Sequence, residues 1–173
     1  KAAPGLRLFV RDIAERMGIR KNVQIWLSNL VDTPVTIGFW KPFILLPVAA
    51  VNQLSIAQAE AIILHELNHI RRNDYLINLI ISCTDIILFF NPFARALTDI
   101  IKKEREHSCD DMVMQFQYKP SHYANALLLL EQNRVNKNLI AIPATGKDKH
   151  LLLNRVKRIH TDEPVTTPLN QKL

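Results

Sequence analysis

Residues 56–73 read IAQAEAIILHELNHIRRN, and this stretch decides how the rest of the chain is interpreted. Just before and within its first turn, Ser55 and Gln58 form a capping-box pattern, in which each side chain bonds the other residue's backbone N–H. The stretch is therefore predicted to form a helix from about Ile56 to about Asn73. Apolar residues around its centre indicate that this helix is buried on nearly all sides: Ile62, Ile63, Leu64 and Ile70.

The centre of the predicted helix, His65-Glu66-Leu67-Asn68-His69, is an HExxH motif. Positions i and i+4 lie one turn apart on one helix face, so both imidazoles can reach a single metal ion. Glu66 lies about 100° round the helix from His65 and can face the open coordination position through a water. The alternative is a surface helix with two solvated histidines. The apolar flanks favour the buried reading, in which histidines need partners.

A catalytic zinc ion usually has three protein ligands and one open position, so the motif requires a third ligand. The long extension typical of metzincins would place that ligand at position 75, which is Tyr75, and its glycine at position 72, which is Arg72. The remaining common solution is a glutamate from a second helix.

That second helix is predicted over about Pro92 to Phe116, because Asn91 is a favourable N-cap and proline suits the first helical position. Glu106 and Asp110 lie four residues apart on it and share a face. This spacing suits one carboxylate on the metal and the other bonded to the distal N–H of a ligand histidine. Other candidates on the helix remain open: Glu104, His107 and Asp111 as ligands, and Cys109 as either a packed small residue or a thiolate ligand.

The first half of the chain contains the β signals. Val23, Ile25 and Leu27 alternate with other residues, which predicts a strand. Residues 34–47, PVTIGFWKPFILLP, predict two short β segments with a bend near Gly38 and Lys41-Pro42, and the prolines place this ribbon at a sheet edge. A free edge can pair with an extended peptide. Together with the helices, these strands predict a mainly helical α+β fold with a small antiparallel sheet.

Further helices are predicted over residues 6–18, 121–132 and 151–159, with polar connections or tails over 136–149 and 161–173. Residues 75–93 contain no Lys or Arg, and their polar residues recur at i, i+4 and i+7 as Asn78, Ser82 and Asp85. This pattern predicts a buried amphipathic helix, with a membrane-surface helix as the alternative. Asp85 disfavours a membrane span.

Composition limits the functional class. The 173 residues are enough for one domain, 48% of them are hydrophobic, and the formal net charge is +6. Such a charge suits acidic partners, nucleic acid or an anionic membrane. The basic residues are scattered without interleaved aromatics, so nucleic acid is not the expected partner. Cys83 and Cys109 form no CxxC pair, which favours a reducing compartment. The chain starts without a leader pattern, and we expect it to be a piece of a longer protein.

Four stretches together resemble the membrane-embedded zinc peptidases of the BlaR/MecR type, the antirepressor family named for the beta-lactam sensors. They are GFWKPFILLP (38–47), HELNHIRRND (65–74), FFNP (89–92) and EREHSCDD (104–111). The resemblance covers about residues 5–130. It implies a single gluzincin-type zinc domain over 1–173, with 131–173 as a helical extension and tail.

The resemblance also implies roles for individual residues. His65, His69 and Glu106 would be zinc ligands, Glu66 the general base, and Asp110 the carboxylate behind a ligand. Arg72 and Asp74 would be a structural charge pair that ends the helix. The domain would lie on the cytoplasmic face of the bacterial inner membrane, between transmembrane helices of the full-length protein. Its substrate would be a peptide or protein such as a transcriptional repressor, and a homodimer remains open.

Two further assignments concern the substrate. Tyr123 is the first candidate for a second group that stabilises the reacting carbonyl oxygen, followed by His122 and Arg155. The alternative for Tyr123 is a core residue with a bonded hydroxyl. The edge ribbon is expected to hold the substrate through Val35, Thr36, Ile37, Gly38 and Phe39. The functional alternative is a zinc-binding signalling domain that does not hydrolyse peptides, although such a domain would have no use for Glu66.

Overall fold

The computed structural model describes residues 4–116, 118–138 and 147–161. Within these ranges the chain forms seven helices and three strands. In chain order they are α1 (Pro4–Arg16), β1 (Gln24–Ser28), β2 (Val35–Ile37), β3 (Phe43–Pro47), α2 (Val48–Val51), α3 (Ile56–Arg71), α4 (Asp74–Ile87), α5 (Pro92–Gln115), α6 (Pro120–Asn138) and α7 (Lys147–Thr161). The prediction of a mainly helical α+β fold is confirmed.

The sheet is mixed. Its strand order is β1-β3-β2, with β1 parallel to β3 and β2 antiparallel to β3. The prediction of an antiparallel sheet is therefore wrong for β1, because alternation along a strand gives the side-chain period but not the direction of its neighbour. The edge prediction is confirmed for β2 and wrong for β3, which lies in the centre. Pro42 immediately precedes β3 and Pro47 ends it, so neither proline interrupts the ladder.

The bend between β2 and β3 depends on Gly38. Its φ is +91°, in the left-handed region, and a Cβ atom there would lie 2.8 Å from the carbonyl oxygen of Lys41. Only glycine combines that backbone conformation with such a close approach. The bend turns β2 back along β3, and β2 thereby lies beside α3.

Helix α3 is the central element of the core. The Ser55 hydroxyl accepts from the Gln58 N–H and the Gln58 side chain accepts from the Ser55 N–H, so the predicted capping box is confirmed. Ile63, Leu64 and Leu67 are completely buried, and α1, α5 and α6 pack around the helix. Asn73 adopts a left-handed conformation with φ 55° and turns the chain directly into α4.

Helices α5 to α7 follow the sequence predictions with small differences in length. Asn91 caps α5 by accepting hydrogen bonds from the N–H groups of Phe93 and Ala94, as predicted. Helix α6 is longer than the predicted 121–132, and α7 begins at Lys147, inside the segment predicted as a polar connection. The remaining predicted connection and tail, 139–146 and 162–173, lie outside the described residues.

Helix α4 contradicts its prediction. Of its 14 residues only Asp74 and Ile81 are buried, whereas Ile80, Ile86 and Ile87 are each at least 65% exposed. The predicted burial is wrong because the polar residues of the helix face α5 and the apolar residues face outward. Within the described ranges, every helix is too short or too polar to span a lipid bilayer.

Candidate metal centre

The HExxH motif presents its two histidines at the centre of α3. His65 is nearly buried and His69 is half-buried, and their Nε2 atoms lie 3.2 Å apart. At this distance both Nε2 atoms can bind the same cation. The predicted i, i+4 geometry is therefore present.

Glu106 from α5 reaches the same point. Its Oε2 lies 3.5 Å from His65 Nε2 and its Oε1 lies 3.7 Å from His69 Nε2. With zinc bonds of about 2.0–2.1 Å, tetrahedral ligand atoms lie about 3.3 Å from one another. The spacing of the three donor atoms and their chemistry, two imidazoles and one carboxylate, both fit a zinc ion.

The other carboxylates of α5 face elsewhere. Glu104 is 68% exposed at its side chain and pairs with His107 across 3.8 Å. Asp111 is exposed and bonds Arg158. Of the open candidates for the third ligand, Glu106 is the carboxylate that the fold brings to both histidines.

Cys109 also lies close to the histidines and could complete a group with His65 and His69. Its Sγ is 3.5 Å from Nδ1 of His69, the nitrogen on the opposite side of the ring from Glu106. Burial, together with the negative charges of Glu106 and Asp74, raises the pKa of this thiol to about 12. The His69 Nδ1 atom that Cys109 approaches already contacts Asp74 at 2.6 Å, and Cys109 is completely buried. The position fits the prediction of a packed small residue.

Each histidine has a carboxylate behind it. Asp110 Oδ1 lies 3.2 Å from His65 Nδ1, and Asp74 Oδ2 lies 2.6 Å from His69 Nδ1. A carboxylate that accepts the Nδ1 proton fixes the tautomer and leaves the Nε2 lone pair for the metal. Asp110 therefore lies where it was expected.

Asp74 forms the predicted charge pair with Arg72, and it also contacts a residue that the prediction did not name. Arg72 is indeed near it, at 3.7 Å, but the shortest contact of Asp74 is with His69. The left-handed turn at Asn73 folds the start of α4 back over the end of α3 and thereby delivers this carboxylate. A carboxylate five residues after the second histidine of an HExxH motif is the sequence signal that could have indicated the contact.

Two arginines hold the carboxylates. Arg155 from α7 donates two hydrogen bonds to Asp110, at 2.9 and 2.7 Å, and lies 3.1 Å from Glu106 Oε2. Arg105 lies 3.2 Å from Asp74 Oδ2 and donates to Asn78 Oδ1 at 2.6 Å. Together with the two histidines, these side chains come from four helices, α3, α4, α5 and α7, of which the sequence predicts the ligands on α3 and α5.

The charged groups of the site shift one another's pKa values towards the ionised forms. Burial lowers the pKa of His65, but hydrogen bonds to Asp110 and Glu106 outweigh burial and raise that pKa to about 9. Burial raises the pKa of Glu106, but the hydrogen bond and charge of His65 outweigh it and lower the pKa to about 2. The pKa of Asp110 and that of Asp74 are likewise held below their ordinary values, against burial, by the neighbouring histidine and arginine. All three carboxylates are therefore ionised at neutral pH.

Glu66 lies beside the three donor atoms and accepts a hydrogen bond of 2.8 Å from the hydroxyl of Thr36. Thr36 belongs to β2, so the edge strand and the carboxylate meet at one wall of an open cleft of about 1000 Å³. Ile37 pairs with Phe43 inside the sheet. The cleft is lined by four residues of the predicted substrate segment together with the histidines and carboxylates: Val35, Thr36, Gly38, Phe39, His65, Glu66, His69 and Glu106.

Tyr123 lies behind His65. It is completely buried, and its hydroxyl donates to Asp110 at 2.7 Å and lies 2.9 Å from His65 Nδ1. This position matches the alternative of a core residue with a bonded hydroxyl. Of the other candidates for a second electrophile, Arg155 lines the cleft and His122 is exposed at the start of α6.

Comparison with known proteins identifies a peptidase family and several relatives of this chain. The profile of the family described as BlaR1 peptidase M56 matches residues 4–159. The regulatory protein BlaR1 of Bacillus licheniformis is 30% identical over 141 residues, which is 79% of this chain and 23% of the relative. The methicillin resistance mecR1 protein of Staphylococcus aureus is 27% identical over 158 residues, 88% of this chain and 27% of the relative. The chain thus spans about a quarter of the length of these relatives.

Proposed function

The chain belongs to the BlaR1 peptidase M56 family, and from this premise we propose that it is a zinc-dependent metalloendopeptidase. In this proposal His65, His69 and Glu106 hold the zinc ion and Glu66 acts as general base. The observation that carries it is the convergence of the two histidine Nε2 atoms and the two Glu106 carboxylate oxygens, at distances of 3.2 to 3.7 Å, beside Glu66 in an open cleft.

The bound zinc ion would supply Lewis acidity, which polarises the peptide carbonyl and makes a water molecule easier to deprotonate. Glu66 takes a proton from the attacking water and later gives it to the leaving nitrogen. The hydrogen bond from Thr36 fixes where the Glu66 carboxylate lies. Because Thr36 is part of β2, this bond fixes the position of Glu66 relative to the strand that binds the substrate.

The substrate is an extended peptide that pairs with the free edge of β2. This strand has β3 on one side, and its other side faces the cleft. Backbone N–H and C=O groups at such an edge can bond a peptide main chain irrespective of its side chains. Val35, Gly38 and Phe39 then lie next to the peptide, while Ile37 supports the strand from the sheet.

The buried polar residues have positioning roles. Asp110 and Asp74 orient His65 and His69, and Tyr123 supports Asp110. Arg155 carries the positive charge closest to Glu106 in the cleft, which makes it a better candidate than Tyr123 for contact with the reacting carbonyl oxygen.

The physiological setting follows the relatives' names. BlaR1 is named a regulatory protein and mecR1 a methicillin resistance protein. We infer that the chain is the peptidase part of a membrane-bound sensor, acting at the cytoplasmic face of the bacterial inner membrane on a protein such as a transcriptional repressor. The alternative, a zinc-binding signalling domain without hydrolysis, keeps the metal ligands but needs no general base.

The test combines metal analysis with peptide cleavage. The purified protein is expected to bind one zinc per chain and to cleave an unstructured protein substrate, with loss of cleavage in a chelator. Glu66→Gln should keep the zinc and reduce turnover by about 10² to 10⁴, since general acid–base catalysis contributes on this scale.

The matched control is Glu60→Gln, the same substitution on the same helix, at a residue that bonds Tyr118. This variant should cleave at the wild-type rate. If Glu66→Gln also cleaves at that rate, Glu66 is not the base. If the zinc-loaded wild type cleaves no substrate in a broad peptide library, the signalling alternative is correct.

A further inference from the structure

We propose that Lys21 is a positioning residue of the substrate cleft, which fixes Phe39 as the wall of a subsite for an apolar side chain of the peptide. This inference rests on the proposed function and adds a specificity determinant to it. Lys21 lies between α1 and β1, and its side chain is half-buried at the edge of the cleft. Lysine side chains are mostly exposed to solvent, so the contacts that hold this one in the cleft wall require an explanation.

Lys21 joins two separate segments of the cleft wall. Its Nζ donates a hydrogen bond of 2.7 Å to Asn73 Oδ1, in the turn between α3 and α4. The same Nζ lies 4.1 Å from the centre of the Phe39 ring, in the bend between β2 and β3. A cation within about 6 Å of a ring centre is attracted by the negative face of the ring. The ammonium group thereby ties the bend that follows the substrate strand to the turn that delivers Asp74.

The ladder of the sheet ends before Phe39. The last pair between β2 and β3 is Ile37 with Phe43, so Phe39 lies beyond the hydrogen-bonded part of the sheet. Gly38, directly before it, adopts the left-handed φ of the bend. The position of the Phe39 ring therefore depends on the side chains that contact it.

Aromatic rings complete the wall at this end of the cleft. The Phe39 ring packs edge-on against Trp40, with ring centres 5.5 Å apart, and its centre lies 6.4 Å from that of Tyr75. Both neighbours are themselves more than half exposed, whereas Lys21 is anchored to a second element by its hydrogen bond to Asn73. Because the ammonium group is already engaged, the wall presents aromatic surface to a peptide. Such a surface favours an apolar side chain.

The subsite lies at a distance from the scissile bond. Thr36 donates a hydrogen bond to Glu66, so it marks the point of the strand that lies beside the general base. Since an extended chain rises about 3.3 Å per residue, Phe39 lies at most about 10 Å beyond Thr36. A peptide that pairs with β2 has the same rise. The side chain beside Phe39 therefore belongs to a residue two or three positions from the cleaved bond.

Removal of the ammonium group should affect binding and not the chemical step. Without it, the Phe39 ring is no longer tied to the turn at Asn73, and the peptide has to order the ring when it binds. Ordering a side chain on binding lowers affinity. The contact between Asp74 and His69 does not involve Lys21, so the metal centre should be unaffected.

The experiment measures peptide binding to the zinc-loaded Glu66→Gln variant, in which hydrolysis is suppressed. The probe is the peptide that binds most tightly on an array of random ten-residue peptides, together with its single alanine substitutions. Cleavage by the wild type, followed by mass spectrometry, locates the scissile bond. Lys21→Met should raise the Kd of the parent peptide, and its KM in the active protein, by about tenfold, while kcat changes by less than about twofold.

One alanine-substituted peptide is expected to behave differently. Alanine at one apolar position, two or three residues from the cleaved bond, should weaken binding to the unsubstituted protein, because the contact with Phe39 is lost. With this peptide, Lys21→Met should raise Kd by less than about twofold, since two changes that remove one interaction are not additive. A role of Lys21 in stability alone would not depend on the side chain of the peptide.

Two further variants serve as controls. Lys21→Arg should restore binding of the parent peptide, because a guanidinium group keeps both the hydrogen bond and the contact with the ring. Lys41→Met removes the same charge from an exposed residue of the same bend and should bind the peptide as tightly as the unsubstituted protein. Zinc affinity should be the same in all of these variants.

The proposal is overturned if Lys21→Met binds the parent peptide with unchanged affinity, or if it weakens the parent and every alanine peptide equally. It is also overturned if Lys41→Met has the same effect as Lys21→Met, or if the array contains no bound peptide. Failure of the proposed function gives a different result. A peptide that is bound but not cleaved by the zinc-loaded wild type contradicts hydrolysis, and the comparison of Kd values still decides the role of Lys21.

Discussion

The two halves of helix α5 differ in what they do with apolar and polar side chains, although they form one continuous helix. In the first half, Phe93 and Leu97 are exposed, and polar Thr98 is buried against Asp85. In the second half, Cys109 and Val113 are buried in the body of the protein. Asp110 is buried beside them because it bonds His65, Tyr123 and Arg155.

The difference shows that the same amphipathic pattern can be satisfied in two ways. Around the metal centre, polar side chains are buried because each one makes a hydrogen bond or ion pair that orients a neighbouring side chain of the site. In the hairpin formed by α4 and the first half of α5, the buried polar side chains bond the two helices to each other, and the apolar side chains are exposed. The first region should be sensitive to substitution of its apolar residues, and the second should tolerate such changes in the isolated protein.

The largest expected effect compares the same substitution in the two regions. Leu64→Ala removes a completely buried side chain from α3 and should lower the free energy of unfolding by about 2–5 kcal/mol. Leu79→Ala, at a residue of α4 that is more than half exposed, should change it by no more than about 0.5 kcal/mol. Urea denaturation of both variants measures the contrast. Equal losses would mean that the hairpin face is packed in solution.

The next effect concerns the metal-binding end of α5. The binding free energy of zinc in small structural sites with four ligands is about 10–16 kcal/mol. Each ligand therefore contributes about 3 kcal/mol, which corresponds to about a hundredfold in affinity. Glu106→Ala should therefore weaken zinc binding by about a hundredfold or more in competition with a chelator. Glu104→Ala, on the same helix but turned away, should bind zinc as the wild type does. Similar losses in the two variants would remove Glu106 from the ligand set.

The smallest effect compares two carboxylates of α4. Asp74→Asn should weaken zinc binding by about 10–100-fold, because an amide no longer fixes the His69 ring as a carboxylate does. Asp85→Asn changes the hairpin contact to Thr98 and should leave zinc affinity unchanged. Calorimetric titration with zinc separates the two cases. If Asp74→Asn binds zinc as tightly as the wild type, Asp74 has only the structural role first predicted for it.

Much of this architecture could be predicted from the sequence where the signals are local. The capping box at Ser55, the Asn91 cap and the HExxH spacing each depend on neighbours within one or two helical turns, and all three are present as expected. The choice of Glu106 was possible because its spacing from Asp110 limited the pair to one helix face.

The features that were missed depend on how elements are oriented relative to one another. The contact between Asp74 and His69 arises from a turn whose direction is set by the backbone of Asn73. The outward face of α4 follows from its pairing with Thr98 and Arg105, which lie 13 and more residues away along the chain. The parallel pairing of β1 with β3 likewise reflects the path of the intervening chain.

The left-handed turn at Asn73 also limits which amino acids the chain can accept there. A residue other than glycine or asparagine in this conformation carries a steric cost, largest for branched side chains. The Asn73 side chain also makes a tertiary contact, because its Oδ1 accepts a hydrogen bond of 2.7 Å from Lys21. The backbone conformation of one residue between two helices therefore decides whether α4 can bring Asp74 to His69.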